Sequence, residues 1–150
     1  MSACGGELNR YAAEEPMITT VSVGIDVPSL AQGVAFYCGA FGFSKKSEPV
    51  PGVAVLHGLN IELCLLEKPD GSKPSPKTND RRKFGRHWTP VHLDFHVEDL
   101  HATLQRAEAL GAKREQVFEN PEHGSVAFCN DPFGHGFCLL ERKANGDATA

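Results

Sequence analysis

From Thr19 the chain alternates. Val21, Val23, Ile25 and Val27 fall on one phase, and Ser22, Gly24 and Asp26 on the other, the period of two expected of a strand with one face covered. The spacing then lengthens. Ser29 is placed to cap a helix, Leu30, Val34, Tyr37 and Cys38 recur at helical intervals, and Gly39 with Gly42 marks the exit into Phe43. Short strands are predicted at 53–57 and 61–66, joined by a tight turn at Gly58-Leu59-Asn60.

The same pattern restarts near Val91. Leu93, Phe95 and Val97 share one phase and His92, Asp94 and His96 the other, followed by Leu100, Leu104, Ala107 and Leu110 at helical spacing, with Gly111 just past the helix end. Strands are predicted at 115–118, 125–129 and 136–141, the last two separated by the turn Asp131-Pro132-Phe133-Gly134. Ser22 matches His92 and Leu30 matches Leu100, both offset by 70 residues, and the segments NIELCLLE and GFCLLE end alike. The chain is therefore an internal repeat. Each unit reads strand, helix, three strands, which predicts an α+β domain with unit one at 17–67 and unit two at 90–141. Residues 68–89 between them show no apolar periodicity, and a connection that long in a compact domain is usually functional or disordered.

Composition narrows the class. At 150 residues, with 41% hydrophobic and 23% charged residues, one soluble globular domain is expected. The longest apolar stretch, 33–43, is too short to cross a bilayer. Residues 1–16 lack the apolar core of a secretory signal and read as a flexible leader, with Met17 an alternative start, and 142–150 read as a flexible tail. The five cysteines are scattered with no paired spacing, so a reducing cytoplasm is the expected location.

Net charge is −4, which argues against a nucleic-acid binder. The charge is uneven. Lys68, Lys73, Lys77, Arg81, Arg82, Lys83 and Arg86 stand against Asp70 and Asp80, a local +5 that leaves −9 on the rest. That stretch reads either as a solvated loop or as a rim attracting an anionic small molecule.

Two tandem βαβββ units, with VHLDFHVEDL opening the second and FCNDPFGHGFCLLE closing it, resemble the vicinal oxygen chelate superfamily. Glyoxalase I, extradiol dioxygenases, fosfomycin-resistance enzymes and metal-free bleomycin-resistance proteins belong to it. The resemblance covers about 17–141 and implies a cup-shaped barrel of mixed β-sheet with the helices outside, often completed across a homodimer. It is specific for fold and poor for function.

In the metal-using members, the resemblance implies, four inward positions hold the ion: one on the first and one on the last strand of each unit. Here these are Ser22, Glu62, His92 and Cys138, of which only Glu62 and His92 match the usual ligand types. Cys138 would favour a soft ion such as zinc over nickel, manganese or iron. His96 and Asp94 share the strand face of His92 and offer replacements. Other roles remain open. His92 reads as a cup-lining hydrogen-bonding group or as a ligand. Glu62 reads as paired with Arg86, His92 or His96, as exposed, or as a general base beside a carbonyl. His57 either lines the cup or packs beneath it, and Trp88 either anchors the rim or stacks on a planar ligand. No phosphate-binding glycine loop and no local GxSxG hydrolase motif occurs.

Two functions of different class follow. The first is a small-molecule-binding protein without an intact catalytic metal site and without a cofactor, taking an anionic or aromatic compound. The alternative is a lyase, isomerase or dioxygenase dependent on zinc, nickel, manganese or iron, whose substrate chelates the ion through neighbouring oxygens.

Overall fold

The computed structural model describes residues 20–143; the predicted leader, the alternative start at Met17 and most of the predicted tail lie outside them. Unit one contains β1 (Ser22–Val27), α1 (Leu30–Phe41), β2 (Ser44–Val50), β3 (Val53–Gly58) and β4 (Ile61–Glu67). Unit two contains β5 (Leu93–Val97), α2 (Leu100–Ala109), β6 (Lys113–Phe118), β7 (Ser125–Asn130) and β8 (Gly136–Glu141). The order strand, helix, three strands occurs twice. Strand β2, SKKSEPV, was not located by pattern because it is exposed along its whole length and slips register twice against β3, so it carries no alternation.

The units have the same topology. One sheet runs β1-β4-β3-β2 and the other β5-β8-β7-β6, each with its first strand parallel to its last and at the sheet edge. These are two four-stranded mixed sheets rather than one closed barrel.

The shared ending of the two units has a structural cause. Parallel pairing sets Val27 beside Glu67 and Val97 beside Glu141, immediately before each helix begins. Glu67 Oε2 accepts from Leu30 N and Glu141 Oε2 from Leu100 N, both at 2.6 Å. A carboxylate at that position satisfies an otherwise unpaired helix N–H and complements the positive end of the helix dipole. Ser29 and Asp99 cap the same helices from the chain itself, accepting from Gln32 N and Ala102 N. Gly42 ends α1 in the left-handed region, at φ 78°, which glycine adopts without a Cβ penalty.

Both sheets turn one face to a common core. Val27, Leu56, Leu63 and Leu65 from the first and Phe95, Phe137 and Leu139 from the second join one cluster with Phe36 and Leu104 of the helices. Phe41 stacks on Phe95 with ring centroids 3.9 Å apart and meets Phe137 edge-on. Each sheet's other face stays open.

The long connection is strapped down. Arg82 Nε donates to Asp26 Oδ2 at 2.6 Å, and its Nη1 donates to the Lys73 carbonyl at 2.7 Å. Phe84 then meets His135 edge-on, and Gly85 crosses Gly134 so closely that a Cβ on Gly134 would stand 2.3 Å from the Gly85 carbonyl carbon. Lacking helix and strand, this segment is held by the β7–β8 turn beneath it, and it delivers Trp88 to the open face of the second sheet.

Candidate functional site

That open face is built by register. Asp94 lies opposite Cys138, and Cys138 opposite Phe128, so a carboxylate, a thiol and an aromatic ring stand in a row across three strands. His92, two residues before Asp94, shares its phase. The imidazole Nε2 lies 3.1 Å from Asp94 Oδ1, and one donor atom each from His92, Asp94 and Cys138 falls within 4.8 Å of the others.

A cavity of about 270 Å³ opens beside this group, walled by Trp88, Phe128, Arg86, Glu115, His92 and Cys138 among others. Two of its aromatic walls are solvent-facing, Trp88 at 80% and Phe128 at 40% exposed, and Phe118, itself outside the lining, meets Phe128 edge-on. Such rings are ordinarily buried, and here they offer an apolar face to the cavity.

Arg86 forms the rim but is not a free cation. Its Nε and Nη2 both donate to the Glu115 carboxylate, and Nη1 reaches the His87 carbonyl. The fork-like pairing holds the Glu115 carboxyl below its ordinary range, with Asn130 adding a further donor. Together with Arg82 on Asp26, this removes two of the seven predicted loop cations from any role as unpaired anion attractors.

The Cys138 thiol is pushed up to about 11, chiefly by burial and then by the neighbouring Asp94 carboxylate. At neutral pH it is protonated and is no nucleophile in that state. Cys129, on the core side of β7, is pushed up to about 12, mostly by burial.

The four positions that the resemblance implies as metal ligands divide two and two. Ser22 and Glu62 are paired in register on the first sheet, whereas His92 and Cys138 lie on the second. Glu62 is outside the group of three described above and is ion-paired with Lys46 at 3.2 Å. His57 stands opposite Glu62 on β3, and both line a separate hollow with Val21 and Leu59. His96 is exposed on β5, in register with Leu140.

Between the edge strands β1 and β5 lies a second cavity of about 340 Å³, lined by Val23, Ile25, Tyr37, Leu93, Phe95 and Phe137 and sharing His92 with the first. At one end His135 Nε2 lies 2.7 Å from the Asp26 carbonyl; a carbonyl only accepts, so that nitrogen carries the proton.

Phe128, Glu115 and His135 were not foreseen as site residues. Phe128 had a readable signal, a large aromatic on the outward phase of SVAFCN. Glu115 had none, since its partner Arg86 is 29 residues away.

With this geometry in hand, the comparisons are specific about kinship. The chain belongs to the glyoxalase-like domain family, which matches residues 22–140 and so spans both units. It is a member of the vicinal oxygen chelate superfamily. Its fold is similar to the fosfomycin resistance protein FosX from Listeria monocytogenes, with TM-score 0.63, 17% identity, and coverage of 85% of this chain and 97% of that one. A mutant of that FosX has been crystallised with Mn(II) and 1S,2S-dihydroxypropylphosphonic acid. Lactoylglutathione lyase from Agrobacterium tumefaciens gives TM-score 0.57 at 20% identity, covering 88% of this chain and 98% of that one. A glyoxalase/bleomycin resistance protein/dioxygenase from Nocardioides gives 0.59 at 16%, covering 92% of both chains. These identities speak for the fold alone. No curated protein matches.

Proposed function

We propose that this chain is a small-molecule-binding protein whose ligand, a planar or aromatic compound, lies in the cavity beneath Trp88 on the open face of the second sheet. The observation that carries the reading is Trp88 itself. A tryptophan held 80% exposed at the end of a pinned strap, across a cavity from Phe128, offers a stacking plane whose burial would stabilise a complex. The Arg86–Glu115 pair and the His92 imidazole supply hydrogen-bonding groups at the edge. A ligand anion would compete with Glu115 for Arg86, so an anionic group is accommodated at the cost of an existing pair.

The reading includes a homodimer. Each chain leaves two sheet faces open, and a second copy applying its first sheet to this chain's second sheet would cover both and enclose the cavity. Light scattering on the purified protein tests this; a monodisperse monomer removes it.

Trp88 is the only tryptophan, so intrinsic fluorescence reports the site directly. Titration with neutral and anionic aromatic compounds should shift or quench its emission saturably, and Phe128→Ala should weaken that binding. A panel that leaves the emission unchanged, with no thermal stabilisation, overturns the proposal.

A second reading, a metal-dependent lyase, isomerase or dioxygenase, is favoured by one observation, the gathering of His92, Asp94 and Cys138. Those residues, and not Glu62, would hold the ion within one chain. A divalent cation there would polarise ligand oxygens as a Lewis acid. Turnover abolished together with metal content in His92→Ala would support this reading over the first.

A further inference from the structure

The cavity of about 340 Å³ at the seam between the units does not have Trp88 in its lining. We propose that this cavity, between the edge strands β1 and β5, is a separate binding site for an uncharged, mostly apolar molecule that carries one hydroxyl group.

Its apolar walls come from the covered side of each sheet. Val23 and Ile25 on β1, Leu93 and Phe95 on β5 and Phe137 on β8 line it and pack in or against the common core. Strand alternation sets them on the phase opposite to Ser22, Glu62, His92 and Cys138. The cavity thus carries the core out to the seam, where β1 and β5 each end a sheet and have no strand partner on that side. An apolar cavity of about 150 Å³ holds benzene, so the seam has room for one ring bearing an alkyl group.

The polar groups at the seam decide what the ligand can carry. Tyr37 donates its proton to Asp131 at 2.6 Å, His135 Nε2 to the Asp26 carbonyl at 2.7 Å, and Thr89 Oγ1 to the Val91 carbonyl at 2.9 Å. These side chains therefore have only lone pairs left to offer, on two oxygens and on His135 Nδ1. The free donors are backbone. The Val27 carbonyl accepts from Lys68 N, which in a parallel ladder assigns the odd-numbered residues of β1 to β4 and turns the amides of Gly24 and Asp26 toward the seam. A hydroxyl both donates and accepts, and so matches lone pairs standing beside a free amide. Charge of either sign is disfavoured. No lysine or arginine lines the cavity, so an anion finds no free cation there. Asp26 is already paired with Arg82, so a cation finds no free carboxylate in the lining and would be desolvated without recompense.

The test uses the full chain, isotopically labelled and followed by two-dimensional amide NMR, with three probes of one shape: 4-tert-butylcyclohexanol, its methyl ether and the corresponding carboxylate. The alcohol should shift the amides of Gly24, Ile25 and Phe95 saturably and leave the Trp88 indole N–H unmoved. The ether, which cannot donate, should bind about two- to tenfold more weakly, the range for one net hydrogen bond. The carboxylate should leave the seam amides unmoved at concentrations where the alcohol saturates. Val23→Phe, which fills the cavity from β1, should abolish binding; should its amide spectrum show an unfolded chain, Leu93→Phe fills the cavity from β5 in its place. Unmoved seam amides, equal binding of the ether or the carboxylate, or full binding in a folded filling variant overturns the proposal. Shifts confined to the Trp88 indole would place the probe in the other cavity and overturn it equally. Phe128→Ala should leave the affinity for the alcohol unchanged, so failure here is separate from failure of the Trp88 binding assay.

Discussion

The Tyr37 hydroxyl donates a 2.6 Å hydrogen bond to Oδ2 of Asp131, joining the helix of the first unit to the β7–β8 turn of the second. Asp131 is 1% exposed, and its other oxygen accepts from Phe133 N and His135 N, each at 2.9 Å. One carboxylate therefore holds a turn in shape and fastens it to the opposite unit, and its buried lone pairs are met by designated donors.

Tyr37→Phe removes one of those donors and leaves the rings packed. The expected cost is about 1.5 to 3 kcal/mol, the range for a hydrogen bond to a charged group, measured by urea denaturation at neutral pH. Tyr37 also predicts an alkaline limit. Burial, with Asp131 beside it, raises the phenol well above its ordinary 10.0, so the folded state retains a proton that the unfolded chain gives up first. Stability from this group is fully present below pH 10 and is lost as pH rises toward the raised value. The Tyr37→Phe variant should lack that part of the alkaline decline.

Gly134→Ala should release the strap. The residue sits at φ 90°, and a Cβ there would lie 2.3 Å from the Gly85 carbonyl carbon, so backbone must move. A loss of about 2 kcal/mol or more is expected from strain alone. Proteolysis within 68–89 should accelerate, and the emission of Trp88 should change.

Acid should loosen the same segment by a different route. Arg86, hydrogen-bonded to Glu115, holds that carboxyl below its ordinary 4.5, so the folded state binds fewer protons than the unfolded chain near that pH. The contribution is present above pH 4.5 and is lost as pH falls through the lowered value. Trp88 emission followed from pH 6 downward should show a transition that is absent in Glu115→Gln. An identical transition in the variant would sever the link between the ion pair and the strap.

Glu67→Ala and Glu141→Ala should each cost about 1 kcal/mol by removing the carboxylate from a helix N-terminus. Thermal melts of the two single variants and the double variant check this. Since each carboxylate serves its own unit's helix, the two losses should add; strong coupling between them would contradict separate caps.

Much of the fold was legible in the sequence because the signals are local. Alternation in VSVGIDV and LDFHV, the cap at Ser29 and the glycine at 42 follow from rules acting over a few residues, and the repeat made each unit a check on the other. Strand β2 escaped because neither of its faces is covered. The candidate site was legible only in part. His92, Asp94, Cys138, Trp88 and Arg86 were singled out from the sequence, and the structure places them all on or beside one sheet face; Glu62, Ser22 and His57 stand on the other sheet. Alternation states which residues share a phase. It does not state which open faces meet.

The sequence by itself determined a twice-repeated order of strand, helix and further strands, and the phase of every side chain on β1 and β5, since these depend on steric periods of two and 3.6 that need no knowledge of the partner. Tertiary structure alone decided that Asp94 lies against Cys138, that Arg86 is neutralised by Glu115, and that Trp88 overhangs the second sheet. Each of these depends on strand register or on the path of the connection at 68–89. Contacts such as Gly85 on Gly134 and Arg82 on Asp26 select that path and leave no periodic trace along the chain.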